Sequence, residues 1–170
     1  MAKPIFLVGY MGSGKTTVGK KLATKLKYDF IDTDHAIEEM TDKNITQIFN
    51  EDGEDAFRQL ERSILVSLTS RQNIVVSTGG GTPCYFDNMV RMNRCGITVY
   101  IKLHPASLVK RIIESDSERP LLRRISNDDL PAYITLHLKE RETFYSKAHI
   151  IIKGESIKLD ELINLVINHH

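Results

Sequence analysis

Ile5-Phe6-Leu7-Val8 runs without a polar residue into Gly9-Tyr10-Met11-Gly12-Ser13-Gly14-Lys15-Thr16. An unbroken apolar run of this kind marks a parallel strand covered on both faces, because neither side of such a strand meets water. The segment after it matches G-x-x-x-x-G-K-[ST] in full. Glycines at these positions let backbone N–H groups turn inward around phosphate oxygens. From Lys15 onward Val18, Leu22 and Leu26 recur at helical spacing, so a helix presents its positive end to the same anion. In that setting Lys15 reaches the β- and γ-phosphates of a nucleotide and Thr16 ligates Mg2+. A glycine-rich turn with a surface lysine would share the letters, but would need neither the strand before it nor the amphipathic helix after it.

Shorter apolar runs recur at 28–31, 74–76, 97–101 and 150–152, with helical patterns between them. That alternation places the chain in the α/β class. Phe57, Leu60, Ile64 and Leu68 share one helical face, as do Leu159, Leu162, Ile163, Val166 and Ile167, and both sets read as core. The stretch 115–129 breaks the rhythm: it is polar, carries Arg119, Arg123 and Arg124, and regains a helix signal only at the capping candidates Asp128 and Asp129. It reads as a mobile lid. At 170 residues the chain suits one domain, 1–170, and no repeat or linker divides it. A net charge of +1 gives no footprint for nucleic acid. The apolar run near the start is too short to span a bilayer, and no targeting segment is visible. Cys84 and Cys95 read as reduced thiols of a cytoplasmic protein, and no function is assigned to the terminal His169 and His170.

A GTPase switch would require D-x-x-G and N-K-x-D, and neither occurs. The strand at 74–76 ends without the usual acidic residue and continues into Ser77, Thr78 and Gly79-Gly80-Gly81. Carboxylates come instead from Asp32-Thr33-Asp34, two residues apart and therefore on one side of a strand end. One could serve a metal and the other orient an attacking hydroxyl, which suits phosphoryl transfer by positioning. Alternatively Asp34 caps a helix over 35–40, although beside a phosphate loop the catalytic reading is preferred. The three glycines imply either a backbone that something approaches closely or a flexible turn. Arg58 could bind an anionic substrate or pair on the surface with Glu54 and Glu61; by itself the surface pair is simpler. Arg141, among Lys139, Glu140 and Glu142, is equally open.

Together these motifs resemble the shikimate kinase family along essentially the whole chain. The resemblance rests on the phosphate loop, Asp32-Thr33-Asp34, FNEDGEDAFRQLE over 49–61, STGGG over 77–81, RPLL over 119–122 and RETFYSKA over 141–148. Arg58, Glu61 and Leu65 followed by V-V-S-x-G-G-G look like the family signature. The resemblance implies a three-layer fold whose five-stranded parallel sheet has order 2-3-1-4-5, with a substrate-binding region near 33–61 and a lid near 112–127. It implies transfer of the γ-phosphate of ATP to the 3-hydroxyl of shikimate, giving shikimate 3-phosphate and ADP, by a monomer.

The resemblance also implies roles. Asp34 takes the ring hydroxyls, Arg58 and Arg141 take the carboxylate, Gly80 lies against the substrate, and Phe49 and Phe57 line its apolar side. Gly12, Ser13, Gly14, Lys15, Thr16 and Thr17 hold the nucleotide, with Arg111 against adenine and Arg119 reaching from the lid onto the phosphates. Thr16 ligates Mg2+, and Asp32 and Ser77 act on it through water. Asp34, Lys15 and Arg119 form the catalytic group. Pro83 and His149 depart from the family pattern without touching a proposed ligand. The rival within this architecture is a gluconate or nucleoside monophosphate kinase, against which Asp32-Thr33-Asp34, Arg58 and the three glycines speak. A regulatory nucleotide-binding module without catalysis would need no second anion site.

Overall fold

In the computed structural model, which describes residues 2–117 and 119–169, strand β1 (Ile5–Val8) is buried at every residue. It lies at the centre of a five-stranded sheet of order β2-β3-β1-β4-β5. The other strands are β2 (Asp29–Asp32), β3 (Ile74–Ser77), β4 (Ile97–Lys102) and β5 (Ile150–Lys153). All pairings are parallel. The helices are α1 (Lys15–Leu26), α2 (Thr33–Thr41), α3 (Ile45–Glu51), α4 (Gly53–Leu68), α5 (Asn88–Cys95), α6 (Pro105–Ile113), α7 (Leu130–Tyr145) and α8 (Leu159–Asn168). Parallel neighbours need crossovers, and these helices supply them on both faces.

The strand period decides which helix covers which face. Phe6 and Val8 pack with Leu65, Met92, Leu108 and Leu138, so α4, α5, α6 and α7 cover one side. Ile5 and Leu7 project the other way and meet Leu22, Leu162 and Val166 of α1 and α8. Each such fully buried aliphatic side chain contributes about 1.5–3 kcal/mol. A smaller cluster of Ile37, Ile48 and Phe57 ties α2, α3 and α4 into a lobe beside the carboxyl end of β2.

Several boundaries differ from the sequence reading. β2 starts at Asp29, which is exposed because the strand lies at the sheet edge. Leu60 and Ile64 are only half-buried while Leu65 is fully buried, since α4 leans on the sheet as well as on the lobe. Ile167 is 55% exposed, so it is not core. Of the capping candidates, Asp129 occupies the N-cap position just before α7 but makes no side-chain cap; its carboxylate accepts from Ser126 Oγ at 2.8 Å. The stretch expected to form a lid contains a short 3-10 turn, Pro120–Leu122. Glu118, which falls within the expected lid, and the terminal His170 lie outside the described residues. Among the described residues, no helix is long and apolar enough to cross a membrane.

Candidate active site

Registers Asp32↔Ser77 and Leu7↔Ser77 align the carboxyl ends of β2, β3 and β1, where an open α/β sheet offers its crevice. The loop after β1 turns through Gly12 at φ 79° and Gly14 at φ 95°, both in the left-handed region that favours glycine. Gly14 caps α1 with no side-chain acceptor, so the first N–H groups of the helix remain available to an anion. Lys15 is buried, and its Nζ donates to Gly9 O at 2.8 Å and Tyr10 O at 3.0 Å. Burial pulls its ammonium down to about 8, against the opposing fields of Asp34 and Asp32.

Thr16 Oγ1 donates to Asp32 Oδ2 at 2.7 Å and lies 3.4 Å from Ser77 Oγ. The other Asp32 oxygen accepts from Asp34 N at 3.0 Å and His35 N at 3.4 Å. Asp32, not Asp34, is therefore the cap. Its extended backbone lets α2 begin at Thr33, two residues earlier than the sequence suggested. Two hydroxyls and a carboxylate are hard oxygen donors, and the described residues contain no cluster of three or more His, Cys, Asp or Glu side chains able to cage a metal. That donor set fits Mg2+, which keeps several waters and takes its remaining ligands from substrate phosphates.

Freed from capping, Asp34 Oδ1 is buried with no hydrogen-bond partner among the described residues. Burial, then the neighbouring Asp32 and Glu61, push its carboxyl up to about 7, with Lys15 pulling the other way. The glycines beside it are required by crowding. A Cβ on Gly79 would stand 2.5 Å from Glu61 Oε1 and 3.2 Å from Asp34 Oδ1. One on Gly80 would meet Met11 N at 3.2 Å and Arg141 Nη1 at 3.3 Å, and one on Gly81 would collide with the Arg58 guanidinium. The glycines thus have a steric reason in the packed side chains around them.

Arg58 does pair with Glu54 and Glu61, but not on the surface: it is 4% exposed and Glu61 is 1% exposed. Its Nη1 donates to Glu61 at 2.8 Å, while Nη2 and Nε donate to Glu54 at 3.0 and 3.3 Å. The Tyr85 ring lies 4.2 Å from the guanidinium carbon, and Thr82 Oγ1 donates to the other Glu61 oxygen at 2.7 Å. Arg141 points inward from α7 and is 5% exposed. It lies against Tyr145, whose hydroxyl donates to Gly80 O at 2.5 Å.

Two cavities result. The first, about 490 Å³, is lined by Asp34, Arg58, Arg141 and Gly80 on its polar side and by Phe49 and Phe57 on its apolar side. The second, about 430 Å³, is lined by Gly12, Gly14, Lys15, Thr16, Thr17, Asp32, Ser77 and Arg111. Arg119 and Asp34 line both. Arg111 reaches the loop from outside, donating from Nη1 to Ser13 O at 3.2 Å. Ser13 itself is buried behind the loop and lines neither cavity. The sequence reading gave Glu61 only as a surface partner of Arg58 and assigned no role to Tyr145 or Tyr85. The i+4 spacing of Tyr145 from Arg141 was the available signal for the first of these two.

Comparison with known proteins bears on the family and the fold. A family model described as Shikimate kinase matches residues 11–169. A shikimate kinase of Phocaeicola vulgatus is 47% identical over 91% of this chain and 88% of its own length. One from Parabacteroides distasonis is 44% identical over 98% of this chain and 96% of its own. The crystal structure of shikimate kinase from Bacteroides thetaiotaomicron superposes with a TM-score of 0.88 at 40% identity, covering 98% of this chain and 97% of that one. Shikimate kinase from Acinetobacter baumannii in complex with shikimate gives 0.88 at 35% identity, covering 99% and 93%. A gluconokinase from Sinorhizobium meliloti shares the fold alone, at 16% identity and a TM-score of 0.54 over 98% of this chain and 90% of its own. With a family model spanning the phosphate loop to α8 and relatives aligned over nearly their full length, the chain belongs to the shikimate kinase family.

Proposed function

We propose that the first cavity holds shikimate and the second the phosphates of ATP, so that the 3-hydroxyl and the γ-phosphate meet between Asp34, Lys15 and Arg119. Membership of the family makes the chain an ATP-dependent phosphotransferase that converts shikimate to shikimate 3-phosphate and releases ADP. The observation that carries the assignment of roles is the unpartnered Asp34 oxygen on the wall common to both cavities. A carboxylate with a vacant acceptor is suited to receive the hydrogen bond of the attacking hydroxyl and to aim it at phosphorus.

The remaining roles follow from donors and charge. Arg58 spends three N–H groups on Glu54 and Glu61, which fixes its plane and leaves N–H groups on Nη1 and Nη2 for a carboxylate. Those two glutamates offset its charge, so Arg141 supplies the positive potential of the substrate site. Phe49 and Phe57, with ring centroids 4.8 Å apart, give the ring of the substrate an apolar wall. Gly80 admits the substrate close to the backbone. Lys15 exchanges two loop carbonyls for phosphate oxygens, assisted by the N–H groups of Gly12 and of Gly14 to Thr17, and Arg119 joins it from the lid. Thr16, with Asp32 and Ser77 behind water, would hold Mg2+, whose charge offsets that gathering on the transferring phosphate. Arg111 would lie against adenine.

The working unit in this reading is one cytoplasmic domain, 1–170, with a substrate-binding region near 33–61 and a lid near 112–127. The reading takes one chain as sufficient to line both anion sites, and a monomer as the working form. A coupled ADP-release assay across shikimate, gluconate and nucleoside monophosphates tests the substrate assignment. Release that depends on shikimate alone is expected; equal or faster release with gluconate or a nucleotide acceptor overturns it.

A further inference from the structure

Helix α7 meets the phosphate loop at Tyr10, a residue that the roles above leave unused. Tyr10 is 1% exposed. Its hydroxyl lies 2.9 Å from His137 Nδ1, and the two rings meet edge to face with centroids 5.5 Å apart. Tyr133 flanks the imidazole at 5.2 Å. One helical turn beyond His137, the guanidinium carbon of Arg141 sits 5.5 Å from the centroid of the Tyr10 ring. On its backbone side Tyr10 O accepts from Lys15 Nζ at 3.0 Å and from Ser13 N at 3.1 Å. The main chain of this residue thus belongs to the phosphate site and its side chain to the substrate site.

A phenol buried this deeply needs a hydrogen-bond partner, since an orphaned hydroxyl costs more than the bond is worth. His137 is that partner. It stays neutral, held down to about 4 by burial and by the charges of Arg141 and Arg58. We propose that His137 is a positioning residue: by tying the Tyr10 hydroxyl it fixes the ring on which Arg141 rests, and so registers the arm that grips the substrate against the loop that grips phosphate. The inference rests on the reading of Arg141 as a carboxylate ligand. Because Lys15 leaves Tyr10 O when phosphate arrives, the same residue links occupancy of the two sites.

The test is titration calorimetry of the full chain with shikimate and, separately, with a non-hydrolysable ATP analogue and Mg2+, alongside melting temperature. Tyr10→Phe and His137→Leu should each raise the Kd for shikimate about fivefold while leaving the nucleotide Kd within about twofold. His137→Gln, whose amide can still accept from the hydroxyl, should restore most of the shikimate affinity. The double variant Tyr10→Phe/His137→Leu should lose no more than either single change, because the two groups act as a unit. Unchanged shikimate affinity in both single variants, with Arg141→Ala abolishing binding, overturns the positioning role and leaves the carboxylate reading standing. Parallel loss of both ligands with a lowered melting temperature also overturns it, as a merely structural contact would behave that way. Arg141→Ala with unchanged shikimate affinity overturns both.

Discussion

Replacing Asp34 by Asn should make the protein more stable and far less active. The carboxyl is held at about 7, against 3.8 for a free aspartate side chain. A carboxyl raised in this way binds its proton more tightly in the folded state, so the stability it lends is complete below pH 3.8 and lost as pH rises to about 7. At pH 8, without nucleotide or metal, the wild type carries the whole cost of an ionised, buried carboxylate, and the amide carries none. About three units correspond to a ceiling of about 4 kcal/mol, which partial access to water reduces to about 2. For a domain of this size that is a rise of about 4–8 °C in melting temperature. Turnover should fall about 10²- to 10⁴-fold, because the amide cannot draw the hydroxyl toward phosphorus as a charge does. Calorimetric melts at pH 5 and pH 8 with turnover at pH 8 settle the matter. Normal turnover, or a melting temperature lowered at pH 8, would refute the reasoning, the latter by showing that Asp34 supports α2 after all.

Three further outcomes can be checked on single variants. Lys15→Ala should lower kcat at least about 10²- to 10³-fold while the circular dichroism spectrum stays native, since the side chain's ground-state partners are carbonyls of its own loop. Glu61→Ala leaves the Arg58 guanidinium buried with only Glu54 to answer it, so denaturant unfolding should show a loss of about 3–5 kcal/mol, and calorimetry weaker shikimate binding. Gly81→Ala brings a methyl group into the Arg58 guanidinium, so the shikimate Kd should rise tenfold or more, to about the loss of one charged hydrogen bond, with nucleotide affinity preserved.

What the sequence disclosed, and what it withheld, divides along the range of the interactions. The phosphate loop and the sheet were legible because glycine spacing and apolar runs are local properties. The partners of Arg58 were legible too, at i−4 and i+3. Their burial was not, because helical period identifies a face without saying that a second wall, here Tyr85 and Gly81, closes over it. The choice between Asp32 and Asp34 as cap turned on backbone angles that two aspartates two residues apart do not announce. Gly79, Gly80 and Gly81 looked ambiguous because their requirement is steric and comes from Glu61, Arg141 and Arg58, on distant segments. Tyr10 and His137 are 127 positions apart, and neither residue type suggests the other.

The wall common to the two cavities has a consequence for ligand design. Met11, Asp34, Gly79, Gly80, Ser117 and Arg119 line both, so the partition consists of side chains and a glycine edge rather than of a continuous element. A single molecule bearing a ring carboxylate at one end and a phosphate mimic at the other would span the opening without displacing any secondary structure. Its second half would bind at the high effective concentration set by a short tether, the ordering of two separate molecules being reduced to that of one. On the proposed roles, such a compound would draw selectivity from the Arg58 and Arg141 half, because a phosphate loop like the one around Lys15 is a motif shared by many nucleotide-binding proteins.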